Sequence, residues 1–333
     1  MGCGTVGANP NPSPIMQDWP YPSTDWVAVT RQAASEREAE DAARNALART
    51  FNTNITSIIE INERFSEIVH DAAGKKSVTF GNSTNIFANT KIWTSVNALI
   101  GVVTETFHAA DRTWYANARM NRHDCAVRYA SMVRENEAVI NGLLSRAAAL
   151  QSGFDAYAAL YYAASIAQAT DNFQNILEVL DPSAVNRRPN YGSTAAIKTQ
   201  MLVPFARRIT IGLSVETEDQ READRIRGAL GAFFTDRGFK VNQQGADDYT
   251  LKANVTFEKG DTTDLKTCRW DLNAPLEDRD GKALFWHKGR GSATAFQDKE
   301  ARSEALCDVE SSIKEGDFVK HFNQWLWLGS LLE

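Results

Sequence analysis

The sequence predicts an α+β protein of two domains. Its 333 residues are more than one compact core usually takes. Alanine-rich helical segments dominate the first half, alternating strand patterns dominate the second, and the polar Pro/Gly-containing segment 186–193 separates them. We therefore expect a small sheet with helices and a long helical hairpin in 19–185. For 195–331 we expect an α+β sandwich with a mainly antiparallel sheet.

The composition excludes several classes of protein. Hydrophobic residues make up 43% and charged residues 23%, which is typical of a packed globular chain and not of a disordered one. The formal net charge is −6, so a broad cationic surface for nucleic acid is not expected. Charged or amide residues interrupt every apolar run before it reaches the roughly 18 to 20 residues of a membrane-spanning helix.

The first domain opens with a short apolar strand at 26–29. Ser35 then caps a helix with acids in its first turn and small residues at helical spacing up to Phe51. Alternating residues at 55–61 favour a strand, with a continued helix as the alternative, and 71–89 is typical of a loop or irregular hairpin. Strands at 98–103 and 113–118 are expected to pair through 109–112.

A helical hairpin is expected at 124–180, with Asp124 as the cap of the first helix and Gly153 as the break. Two helices of roughly 25 residues each run to about 40 Å, longer than a small sheet needs for cover. The hairpin should therefore protrude and offer a surface to a partner.

The second domain shows the order β-α-β-β-β-α. Asp219 is placed to begin its first helix and Gly238 to end it in a left-handed conformation, while 278–281 is a turn between strands. Near the end of the chain, Phe318, Phe322 and Trp325 recur at i, i+4 and i+7. This spacing favours a helix that docks on the core, and a membrane-interface belt of the Trp-rich segment is the alternative. The strands are expected at 208–215, 249–257, 268–274 and around 284–286, and the last long helix from Asp298.

The start of the chain has two interpretations. Cys3 follows Gly2 and precedes a tail rich in Pro and Asn, a pattern typical of a bacterial lipoprotein whose cysteine carries the lipid. A cloning scar before a frayed terminus is the alternative. In the first interpretation 1–18 is an extended spacer between the anchor and the folded domains.

The segment 35–51 and the run Thr113 to Arg122 carry a family resemblance. An alanine-rich helix after a strand, followed by a strand that ends in tyrosine, small and basic residues and leads into a helix, resembles the LPP-twenty family of bacterial outer-membrane lipoproteins. The resemblance covers about 19–180. It implies a location in the cell envelope, and domains of this type also occur in flagellar outer-membrane proteins. It implies no catalytic residue.

Motifs for catalysis, metals and cofactors are missing from the sequence. The five histidines lack metal-site spacing, so isolated roles are expected, and no metal or cofactor is predicted. Cys125 lies beside His123 and Asp124, but adjacent residues on a helix point in different directions, so it is interpreted as a buried small residue. The lone Gly289-Arg290-Gly291 favours a bend or bulge over a phosphate loop.

Four further residues are candidates for a site or a cross-link. Trp270 and Trp286, on neighbouring strands, either form an aromatic stacking face for a ligand or a cross-strand pair in the core. Cys268 and Cys307 are the only cysteines within one predicted domain, so a disulfide between them is a candidate in an oxidising compartment.

The combined prediction is a non-enzymatic, lipid-anchored lipoprotein of the bacterial outer membrane. It would act as a structural or protein-interaction component of an envelope or flagellar assembly. Its partners would be other envelope proteins, with membrane contact through the Cys3 lipid only. The alternative is a periplasmic lipoprotein that binds a soluble ligand or glycan.

Overall fold

The computed structural model describes residues 21–51, 99–110, 112–150, 153–183, 189–242, 247–261 and 265–329. The described residues fall into two compact units. The first unit comprises the described residues within 21–51, 99–137 and 168–189, and the second comprises those within 138–167 and 190–329. Both contain helices and a sheet, so the predicted α+β class is confirmed. Cys3, the spacer 1–18 and the predictions for 55–61 and 71–89 lie outside the described residues.

The first unit contains a three-stranded antiparallel sheet in the order β1-β3-β2, with helix α1 packed on it. Ser35 caps α1 as predicted, because its side chain accepts the N–H of Glu38. Ala116, Ala118 and Met120 of the central strand are fully buried. The strand that pairs with β3 on its other side was predicted at 98–103, but it begins only at Val103. The elements are β1 (Trp26–Ala33), α1 (Glu36–Thr50), β2 (Val103–His108) and β3 (Trp114–Asn121).

Two long helices follow β3 directly: α2 (Arg122–Leu150) and α3 (Gly153–Leu180). The side-chain oxygen of Asn121 accepts the N–H of Asp124, so Asn121 and not the predicted Asp124 caps the first helix. In the first unit, the buried Asn136 amide donates to Thr170 Oγ1 at 3.0 Å and joins the two helices.

The middle of this hairpin, 138–167, belongs to the second unit. Phe154, Tyr157 and Ala158 are buried in the core of that unit, and Phe154 lies 5.3 Å from Phe239 between ring centroids. The start of α3 therefore does not supply the exposed partner surface that was expected of the hairpin. Aromatic side chains at the start of α3 are buried against the second sheet instead of facing solvent.

The second unit is built on a five-stranded mixed sheet in the order β5-β4-β6-β7-β8. Strand β4 runs parallel to β5 and β6, whereas the long pairs β6–β7 and β7–β8 are antiparallel. The long strand pairs are thus antiparallel as predicted, and the two pairs formed by β4 are parallel. The strands are β4 (Thr210–Glu216), β5 (Lys240–Asn242), β6 (Tyr249–Asp261), β7 (Lys266–Asp278) and β8 (Ala283–Ala295).

Helices cover one face of this sheet, which we call the inner face. Asp219 caps α6 through the N–H of Arg221, and Gly238 after it has φ +88°, both as predicted. Phe318 and Phe322 have no exposed surface, so the prediction that the last helix docks on the core is confirmed. The helical elements are α4 (Thr194–Ala196), a π-helical turn (Ile197–Leu202), α5 (Val203–Ala206), α6 (Gln220–Asp236), α7 (Asp298–Lys314) and α8 (Asp317–Gly329).

Within the described ranges, no helix combines the length and the apolar character needed to cross a membrane.

Candidate functional site

The outer face of the five-stranded sheet, opposite the helices, is the first candidate surface. Side chains alternate strictly between the two faces of a strand. In β6, β7 and β8 one set is buried under the helices, and the other set is largely exposed. Strand β8 is the edge of the sheet, since β7 is its only strand neighbour among the described residues.

Trp286 is the most prominent side chain of this face. It is 59% exposed and lies opposite Pro275 of β7. Its indole N–H donates to the side-chain oxygen of Asn273, and Lys288 Nζ lies 4.8 Å from the ring centroid. The hydrogen bond and the cation–π contact fix the position of the ring on the exposed face of the sheet, where it presents an apolar surface.

Lys288 and Arg290 follow Trp286 on the same side of the edge strand. Both are exposed, and neither forms an ion pair with another residue in the described ranges. Asn273 lies opposite Lys288, and Asp271 opposite Arg290. The edge of the sheet therefore carries two cations whose charge is available to a partner.

Trp270 does not share this surface. It is 6% exposed on the inner face and lies opposite Gly291, whereas Trp286 points outward. Both interpretations of a Trp270–Trp286 pair, a common stacking face and a cross-strand core pair, are therefore wrong. Along the apolar run of β8 the sequence does not distinguish which residues face inward, so the face of Trp286 was not predictable from it.

The Gly289-Arg290-Gly291 segment explains how Trp270 fits. A Cβ at Gly291 would lie 2.6 Å from the indole of Trp270, and one at Gly289 would lie 2.9 Å from His287 Nε2. The segment remains paired to β7 throughout, and the register irregularity of the pair lies at Leu276 and Glu277. The predicted bend or bulge is thus wrong, since the glycines make room for a ring beneath a regular strand.

Replacing Gly291 with Ala should lower the free energy of unfolding by about 1–3 kcal/mol, because the new methyl group overlaps the Trp270 indole. Gly142 on α2 is the matched control, since nothing lies within 4 Å of its added Cβ. Gly142→Ala should instead stabilise by about 0.5–1 kcal/mol, as expected for an unobstructed helix position. Urea denaturation measures both, and an equal effect of the two substitutions contradicts the contact.

The expectation that the histidines are isolated is wrong for two of the five, His287 and His321, which meet in the second unit. Nδ1 of the fully buried His287 lies 2.9 Å from Nδ1 of His321 on α8. Burial, and then the neighbouring imidazole, lower the pKa of His287 from 6.5 to about 4. Within the described residues no third His, Cys, Asp or Glu joins them as a possible metal ligand.

The predicted Cys268–Cys307 disulfide is absent, because both thiols are free. Cys268 is buried on the inner face, whereas Cys307 is exposed and near Arg225 Nη2, at 3.7 Å. The inward stripe of α7 is formed by its neighbours Ala305, Leu306 and Val309, which turns Cys307 away from the sheet.

Cys125 is buried, as expected, and its Sγ lies 3.9 Å from the carbonyl oxygen of Gly101. Burial raises the pKa of its thiol, so the thiolate that a nucleophile requires is disfavoured. The structure thus gives Cys125 an environment typical of a packing residue.

Comparison with known proteins gives limited information. No family model matches the chain, and no curated protein matches it. Among solved structures, the secreted protein HP1454 of Helicobacter pylori shows 11% identity and a TM-score of 0.38, over 88% of this chain and 99% of that one. A PelC dodecamer subunit from Paraburkholderia phytofirmans shows 16% identity and a TM-score of 0.23, over 34% of this chain and 86% of that one. Both similarities are too low to indicate a shared function.

Proposed function

We propose that the protein is a non-enzymatic, lipid-anchored component of the bacterial cell envelope that binds another protein along strand β8. The observation that carries the proposal is the thirteen-residue edge strand, with Trp286, Lys288 and Arg290 exposed along it. An edge strand presents unpaired N–H and C=O groups, to which an extended segment of a partner can add.

The charge of the edge indicates the kind of partner. Lys288 and Arg290 occupy alternate positions and face the same side, so they match acidic residues spaced two apart on an added strand. Next to them, the exposed ring of Trp286 offers a contact for an apolar side chain. The envelope location and the anchor rest on the sequence pattern at Cys3 and on the LPP-twenty resemblance.

The glycan-binding alternative has less support. It depended on two tryptophans forming one stacking face, but Trp270 is buried and only Trp286 is exposed. The ring of Trp286 is also flanked by Lys288 on the exposed face of the sheet.

Photo-cross-linking in cells tests the interaction. A photoreactive residue in place of Ser292, which is exposed on the outer side of β8, should form one protein adduct. In the same chain, Lys288→Glu with Arg290→Glu should reduce that adduct at least about tenfold, since two favourable charge pairs become repulsive.

Arg221→Glu is the matched control, because Arg221 is also exposed but lies on α6, which covers the opposite face. It should leave the adduct unchanged. An adduct that survives the double reversal, or a Ser292 position that cross-links to no protein at all, contradicts binding at this edge.

A further inference from the structure

A second surface of the second unit is a groove of about 480 Å³ between the hairpin helices and the segment 200–208. Its walls are mainly apolar: Leu144 and Ala148 come from α2, Leu160 from α3, and Met201 and Phe205 from the opposite side. Met201 is 45% exposed although its side chain is apolar. A groove of this volume lies within the range of roughly 300–1,000 Å³ that is typical of small-molecule sites.

Arg208 also lines the groove, as its only charged residue. It is exposed and has no hydrogen bond or ion pair from its side chain to another described residue. Phe205 and Arg208 also line an adjacent polar cleft of about 320 Å³. The Arg208 guanidinium is therefore free to bind an anion where the apolar groove adjoins the polar cleft.

Two of the three acids that line the adjacent cleft, Asp248 and Asp278, have other hydrogen-bond partners. Asp248 accepts the backbone N–H of Thr210 at 2.8 Å and Arg279 Nη2 at 2.6 Å. Asp278 Oδ1 accepts the N–H groups of Asp280 and Lys282 at 3.0 and 2.9 Å. Asp248 thus has a cationic partner of its own in Arg279, and Asp278 accepts two backbone N–H groups.

We propose that this groove binds a free single-chain fatty acid, with the acyl chain along the apolar walls and the carboxylate on Arg208. An apolar groove lined by a single cation is complementary to an anionic amphiphile, because burial of the acyl chain removes apolar surface from water. The planar guanidinium matches a carboxylate through two parallel hydrogen bonds. This site is separate from the β8 edge and does not depend on the partner proposed there.

Calorimetry with the full chain and palmitate, below the concentration at which it forms micelles, should show saturable binding to one site. Arg208→Ala should weaken palmitate binding about tenfold, the loss expected for a charge-assisted hydrogen-bonded pair. The adjacent Arg207 is also exposed but does not line the groove, so Arg207→Ala is the control and should leave the affinity for palmitate unchanged. Hexadecanol has the same chain without the charge. It should bind the wild type and Arg208→Ala equally, with about the affinity that palmitate has for Arg208→Ala.

A second pair of variants tests the apolar walls. Ala148→Trp places a ring in the groove from an exposed helix position and should abolish binding, whereas Ala149→Trp, exposed and outside the lining, should not. Palmitate binding that survives Ala148→Trp, or that is no stronger than hexadecanol binding, overturns the proposal. Binding to anionic phospholipid vesicles that falls equally with Arg207→Ala and Arg208→Ala, without binding of monomeric palmitate, indicates a membrane surface contact and also overturns it.

Discussion

Replacing Phe322 with Ala should lower the free energy of unfolding of the second unit by about 3–5 kcal/mol. The side chain has no exposed surface. Its ring centroid lies 5.2 Å from that of Phe233, 5.6 Å from that of Phe234 and 5.4 Å from that of Phe285. Truncation removes edge-to-face contacts to helix and strand at once and leaves a cavity that these rigid neighbours cannot fill.

Urea denaturation followed by circular dichroism measures this effect. Phe296→Ala serves as the control, because Phe296 is 82% exposed and its loss should change stability by less than about 0.5 kcal/mol. If Phe322→Ala costs no more than the control, α8 does not dock on the core as described.

Acidification should destabilise the second unit through His287. The pKa of this buried imidazole is about 4 in the native state and 6.5 when it is free of the fold. Below pH 6.5, His287 therefore binds a proton in the unfolded chain, whereas in the native state it stays neutral until about pH 4. Each pKa unit is worth about 1.4 kcal/mol, so stability should fall by about 3 kcal/mol as the pH drops through this window.

The contribution is absent above pH 6.5, where His287 is neutral in both states. His287→Phe should therefore flatten the loss between pH 6.5 and pH 4, since a phenyl ring near Phe318 packs without titrating. His123→Gln, at an exposed position of α2, should keep the wild-type dependence. Denaturation midpoints at a series of pH values measure both, and an unchanged slope in His287→Phe rules out His287 as the cause.

Several local features of the chain were predictable because their causes are local. Asp219 caps α6 and Gly238 ends it because a side-chain acceptor and a residue free of Cβ satisfy helix ends wherever they occur. The burial of Phe318 and Phe322 followed from their helical spacing, since one stripe of a helix must face a core.

Contacts between distant segments required the tertiary structure. A strand pattern shows which residues share a face but not which face is inward when the apolar run is continuous, as at Phe285 and Trp286. The tertiary structure was needed to show that Trp286 is exposed, whereas Trp270 is buried beneath Gly291.

By itself, the sequence determined the α+β class, the start of α1 and both ends of α6, because each depends on patterns or neighbours along the chain. Only the tertiary structure decided that His287 meets His321 and that Arg208 lies beside an apolar groove. It also decided that the start of α3 is buried in the second unit. These outcomes depend on which surfaces of separate elements pack together, and packing complementarity in three dimensions is not encoded in the periodicity of any one segment.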